Sequence, residues 1–314
     1  MIRKITNHIS KHHYTRRSVD FYKGLHVTRY KISLSDLLRN VIRQIEKDDV
    51  VSKANDMAFN FLLSVFPAII FLFTLIPYVP VPDMTHKVMS FMSDVMPRAL
   101  FQTVESTVYD IIATPRGGLL SFGFILTLYS AMNGMNTMME SFNKCYHTPE
   151  KRNFLKKRLF ALILTIVLTF VLILSVIVIL VGEYVLDYIV KIGILHDAIT
   201  LLMINVTRYG TVGFTLYISI AMIYKLGPSA GRRWHFFSYG TGLATVLIIG
   251  ASTGFSYYLS NFATYNKLYG SIGTLIALML WLMIISFVIL LGFELNACVD
   301  ALKPKEEKVP INHS

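Results

Sequence analysis

Three carboxylates and five amides stand at the ends of apolar stretches, where polar side chains are costly. Asp56, Glu140 and Glu294 begin or end three of the chain's long apolar runs. Asn60, Asn133, Asn136, Asn143 and Asn296 lie in or beside the same ends. Groups of this kind next to hydrocarbon hold ions, relay protons or orient the polar part of a ligand. Gathered around one pocket, they would line an inner entrance. Left apart, they would anchor helix ends at an interface and pair with Lys144 or Arg152. The residues alone leave both readings open.

Catalytic chemistry is not indicated. The chain has no H-E-x-x-H, no G-x-x-x-x-G-K-[ST] and no G-x-S-x-G. Its two cysteines, Cys145 and Cys298, have no C-x-x-C spacing, so neither a disulfide framework nor a zinc signature is present. The stretch "GTGLAT" from Gly240 matches a dinucleotide loop only in its first three residues, and it sits inside an apolar run. His12 and His13 lie in a polar, basic tail and read as solvated. We expect no cofactor, no metal and no enzyme.

The elements that position the polar residues are set by composition. Of 314 residues, 54% are hydrophobic and 16% charged, where a soluble domain has about 25% charged. From Leu268 to Phe293 no charged side chain occurs, and the run closes on Glu294. A helix needs about 20 apolar residues to cross a bilayer. The sequence predicts an all-α, polytopic membrane protein with six transmembrane helices, near 57–80, 118–140, 159–182, 206–226, 236–262 and 270–296. The fourth is the weakest, because Arg208 falls at its start or within it. In one register Arg208 is buried in the span and needs an ion pair, since an unpaired guanidinium there costs several kcal/mol. In the other, which snorkelling favours, it is an outer interfacial anchor.

Charge fixes the expected orientation. The formal net charge is +11. The segments between spans carry 24 Lys and Arg on one side and five on the other, with Arg208 set aside. Positive residues collect on the cytoplasmic side, so both termini are expected inside the cell, in a plasma membrane. The basic clusters are juxtamembrane, as in "KCYHTPEKRNFLKKR", and suit anionic lipid heads rather than nucleic acid. The first apolar run begins near residue 57, too late for a cleavable signal, and is expected to stay as an anchor.

Residues 1–53 form a basic segment with an amphipathic helix at 34–47. Leu34, Leu37, Leu38, Val41, Ile42 and Ile45 are at helical spacing, and Ser33 with Asp36 makes a capping box. This helix lies on the inner leaflet or packs beneath the bundle. Residues 54–300 form the six-helix domain, and 301–314 a cytoplasmic tail. Within 83–116, two apolar stripes separated by Pro97 predict two short helices on the outer face, a lid or a gate. Pro67 predicts a kink and frees the Leu63 carbonyl, which Ser64, a neighbouring helix or water must satisfy. Gly250 and Gly254 have the small-xxx-small spacing of close helix packing.

Four stretches together carry a family resemblance: "AFNFLLSVFPAIIFLFTLIP", "YSAMNGMNTMMESFNKCYHTPEKRNFLKKRL", "KLGPSAGRRWHFFSYGT" and "YGSIGTLIALMLWLMIISFVILLGFELNA". In this order and spacing, over about residues 34–300, the chain resembles the YihY/virulence factor BrkB family of bacterial inner-membrane proteins. Asn60 and Phe61 stand where the family's first helix usually has an aromatic pair. The resemblance implies a six-helix bundle in the cytoplasmic membrane. Some members carry a tRNA-processing ribonuclease label, and others are discussed as envelope or transport proteins. We expect a non-enzymatic protein that transports, or controls, a lipid-like or small solute. The alternative is a scaffold docking a cytoplasmic protein partner; a ribonuclease is the third reading.

Overall fold

The computed structural model describes residues 34–78, 83–95, 98–146, 150, 152–191, 197–229, 236–261 and 271–302. Among these residues all regular structure is helical: α1 (Leu34–Lys47), α2 (Val50–Leu75), α3 (Met84–Val95), α4 (Arg98–Ala113), α5 (Gly117–Cys145), α6 (Phe154–Lys191), α7 (Asp197–Leu226), α8 (Tyr239–Asn261) and α9 (Ser271–Ala301). A 3-10 turn, Ile76–Tyr78, ends α2 at the prolines. Ser33, of the expected capping box, and the tail from 303 onward lie outside the described residues.

Apolar length accounts for the long helices. With its terminal turn α2 is long and apolar enough to cross a membrane, as are α5, α6, α8 and α9. No more than 28% of the apolar window of any of them is buried within the protein. Phe122, Ile125, Phe170, Leu172 and Val246 are at least 60% exposed. A water-facing surface so rich in large apolar groups would aggregate, whereas a lipid-facing one is stable. The chain is a polytopic helical membrane protein. The thirty-residue α7 is not among the five apolar candidates. Arg208 lies within it, and its side chain falls outside the described residues.

Six helices close a ring. Chain neighbours pack in order, α5 on α6, α6 on α7, α7 on α8 and α8 on α9, and α2 joins α9 back to α5. The densest core lies at the end rich in lysine and arginine. There Phe142 stacks on Phe293 at 4.2 Å between centroids, and Tyr224 meets both rings edge-on at 5.8 Å. The Tyr224 hydroxyl donates to the Ile289 carbonyl at 2.7 Å, so a buried polar group is satisfied inside the apolar core.

Glycines set the closest approach in this ring, but not those expected. A Cβ on Gly240 would lie 1.9 Å from the Gly292 carbonyl oxygen, so α8 and α9 nearly touch through backbone. Gly250 and Gly254 are exposed, and a Cβ on either would meet open space among the described residues. Pro67 is buried within a continuous α2. Ser64 donates at 2.6 Å to the Phe61 carbonyl, rather than to the carbonyl of Leu63 freed by the proline.

Helix α1 packs on α9 through Leu37, Val41, Cys298 and Val299. Leu38 and Ile42 remain half exposed beside Arg39 and Arg43. Asp49, at φ 47°, turns the chain from α1 into α2, a left-handed position that aspartate tolerates. At the opposite end of the ring, α3 and α4 pack on each other and on the 3-10 turn, with Ile112 fully buried.

Candidate functional site

Helix α5 presents Asn133, Asn136, Thr137 and Glu140 along one face, since positions i, i+3, i+4 and i+7 align on a helix. The first two turns of α6 present Phe154, Lys157 and Arg158 by the same rule. Asn60 of α2 completes a cleft of about 250 Å³ between the three helices. Gly134 permits this: a Cβ there would lie 2.8 Å from the Phe61 ring, which crosses to α5 next to Asn60.

The cleft is polar and largely self-paired. Lys157 forms an ion pair with Glu140, not the expected Lys144 or Arg152 partnership. Arg158 Nη1 donates to Asn133 Oδ1 at 2.5 Å, and its guanidinium lies over the Tyr129 and Phe154 rings at 5.4 and 5.5 Å. Asn60 Nδ2 donates to the Asp56 carbonyl at 2.9 Å. One acceptor is left over: Asn136 Oδ1 is buried with no hydrogen-bond partner among the described residues. On the same helices Phe59, Leu63 and Tyr129 are exposed, so apolar surface flanks the polar cleft.

The expected polar set is thus divided. Asn60, Asn133, Asn136 and Glu140 meet in the cleft, but Asp56, Glu294 and Asn296 do not. The Asp56 side chain is exposed on α2. Glu294 is 0% exposed in the interior, and neither carboxylate oxygen reaches full hydrogen-bond geometry with the described residues. Cys145, Asp48 and Lys53 are the polar groups near enough to interact with it. Asn296 has a capping role: its Oδ1 accepts from the Gly240 N–H at 2.8 Å and its Nδ2 donates to Ser238 Oγ at 2.9 Å, holding the start of α8. One pocket was expected because all these residues lie near the same end of the ring. They separate because Asp56 lies one turn before Asn60 on α2, beyond the cleft, and Glu294 and Asn296 sit on α9, which contributes no lining residue.

Arg152 braces the site from below. Its guanidinium donates to the carbonyls of Pro228 at 2.5 Å, Gly227 at 3.3 Å and Leu226 at 3.5 Å, where α7 ends. A cation on the unsatisfied carbonyls of a helix end is favoured by hydrogen bonding and by the helix dipole. Burial holds the Arg152 guanidinium below its ordinary pKa, and the neighbouring Glu150 carboxylate partly offsets this. Glu150 also accepts from Asn143 Nδ2 at 2.7 Å, and Asn143 Oδ1 accepts from the Ser229 N–H at 2.8 Å. This loop fixes the start of α6, and with it Lys157 and Arg158.

Among the described residues no three His, Cys, Asp or Glu side chains converge in a metal-binding group. Sequence reasoning missed Thr137, Lys157 and Arg158 as cleft residues, because the basic pair read as topogenic. The signal was their helical spacing.

The model of the family described as virulence factor BrkB matches residues 41–312. The chain belongs to the virulence factor BrkB family. A ribonuclease-like protein of Bacillus subtilis (strain 168), YfkH, is 34% identical over 259 residues, covering 82% of this chain and 93% of that one. A UPF0761 membrane protein of Tolumonas auensis is 38% identical over 78 residues, a quarter of each chain. Another, from Chlorobium phaeobacteroides, is 34% identical over 89 residues, 28% of this chain and 20% of its own. No solved structure matches the chain. The BrkB match takes in α2, α5 and α6, and so every cleft residue.

Proposed function

We propose that this BrkB-family chain is a non-enzymatic protein of the cytoplasmic membrane that moves, or controls the movement of, a lipid-like or small amphiphilic solute. The observation that carries the reading is the α2–α5–α6 cleft. It places amides and a guanidinium beside apolar surface, which is the arrangement an amphiphile needs. In this reading α7 also crosses the membrane, as the fourth of six spans, and the lysine- and arginine-rich end of the ring faces the cytoplasm with both termini, following the positive-inside bias. The cleft then opens toward the inner leaflet.

The ribonuclease-like name of the Bacillus relative suggests RNA cleavage. The cleft is better suited to holding a head group, because its one carboxylate, Glu140, is occupied by Lys157 rather than poised as a general base. A second reading draws on α1. Exposed Leu38 and Ile42 beside Arg39 and Arg43 suit anionic lipid heads at the membrane surface or a docked cytoplasmic partner. Deleting 34–47 separates the two: loss of a co-purifying protein with solute movement intact favours docking.

The test is reconstitution in liposomes with labelled lipid and common ions followed in parallel. Labelled lipid is expected to cross faster than in protein-free liposomes. If neither lipid nor ions move, and Glu140→Ala leaves the host envelope unaffected, the proposal fails.

A further inference from the structure

Resting on that amphiphile reading, we propose that the α2–α5–α6 cleft binds the phosphodiester head group of a glycerophospholipid whose head group carries hydroxyl donors, as in phosphatidylglycerol. Charge comes first. Lys157 and Glu140 neutralise each other, and Arg158 leaves the cleft with one net positive charge. A phosphodiester carries one negative charge. Arg158 has five N–H donors in a fixed fork and gives one to Asn133, so others remain for phosphate oxygens. Its guanidinium is held in place by Tyr129 and Phe154, so little side-chain entropy is lost on binding. The cleft lies at the start of α6, where the helix dipole adds partial positive charge.

The rest of the head group is specified by acceptors. Asn136, which lines the cleft, has its Oδ1 buried without a partner among the described residues, and that oxygen needs a donor. Glu140, still partly exposed, offers a second acceptor next to it. Glycerol hydroxyls satisfy both. A choline head group has no donors to offer. An ethanolamine ammonium would satisfy Asn136 but bring its own positive charge beside Lys157 and Arg158. Size agrees: a cleft of about 250 Å³ has room for a group of several heavy atoms. That holds a phosphate and a small alcohol. The exposed Phe59, Leu63 and Tyr129 on the same helices give the acyl chains an apolar path.

The experiment is native mass spectrometry of the full-length protein in mixed micelles with phosphatidylglycerol, phosphatidylethanolamine and phosphatidylcholine. Phosphatidylglycerol should be retained about tenfold more than the other two. Arg158→Ala should reduce its retention by at least about tenfold, the usual size of a lost charge-assisted hydrogen bond, and Arg158→Lys should restore part of it. Asn136→Leu, which keeps every charge, should lower retention several-fold and serves as the readout if Arg158→Ala does not fold. Equal retention of the three lipids overturns the proposal, and so does wild-type retention in Asn136→Leu or in a folded Arg158→Ala. Glycerol phosphate without acyl chains should not displace the lipid at equal concentration; if it does, the ligand is a soluble phosphate ester and the lipid assignment fails. Specific retention without lipid movement in liposomes would sink the transport reading and leave this site standing.

Discussion

Arg152 and Arg158 lie in the same basic run yet do different work. Arg152 grips three carbonyls at the end of α7, whereas Arg158 faces the cleft. Arg152→Ala should therefore cost stability, about 1.5–3 kcal/mol for the lost charge-assisted bonds, measured as a lower thermal midpoint in detergent. Arg152→Lys should not recover it, because a point charge cannot span the three carbonyls. Glu294 poses a different problem: a carboxyl buried completely, near Asp48, Lys53 and Cys145. Glu294→Gln keeps the shape, removes the burden of burying a charge and should fold normally. Glu294→Leu, which also removes the polar atoms that Cys145 and Lys53 face, should reduce the yield of monodisperse protein. An equal yield for both would contradict a need for polar atoms at that position. The sequence located these residues at span ends but not on a helix face, since rotation about the helix axis is fixed by packing partners.

Element bounds were more legible than element contacts. The end of α1 at Lys47 was legible because its apolar stripe stops there and Asp49 turns the chain sharply. The two short helices on either side of Pro97 followed from separate stripes. Which glycines let helices touch was not legible, because a small residue matters only where a partner approaches. Gly240→Ala would drive a Cβ into the Gly292 carbonyl, 1.9 Å away, and should separate α8 from α9. Gly250→Ala and Gly254→Ala meet open space and should be neutral or slightly stabilising, because glycine in a helix costs about 1 kcal/mol relative to alanine. Thermal unfolding of the three variants in one detergent checks this. A neutral Gly240→Ala would contradict the close α8–α9 contact.

At the scale of the molecule, six helices join in a ring whose tightest core lies at its basic end. Membrane embedding was evident from composition, and the exposed apolar surface bears it out. Ring closure, with α9 returning to α2, is a long-range contact that no local pattern encodes. Reporter fusions after residues 100 and 150 should fall in opposite compartments, with residue 150 in the cytoplasm. The central claim concerns what fills the lateral cleft, and photo-crosslinking in native membranes addresses it most directly. A photoreactive residue placed at Thr137, inside the cleft, should capture phospholipid with a glycerol head group, whereas one at Thr253, on the exposed face of α8, should label lipids without regard to head group. The same unselective labelling at both positions, or capture at Thr137 of soluble metabolites or RNA instead of lipid, would contradict the account.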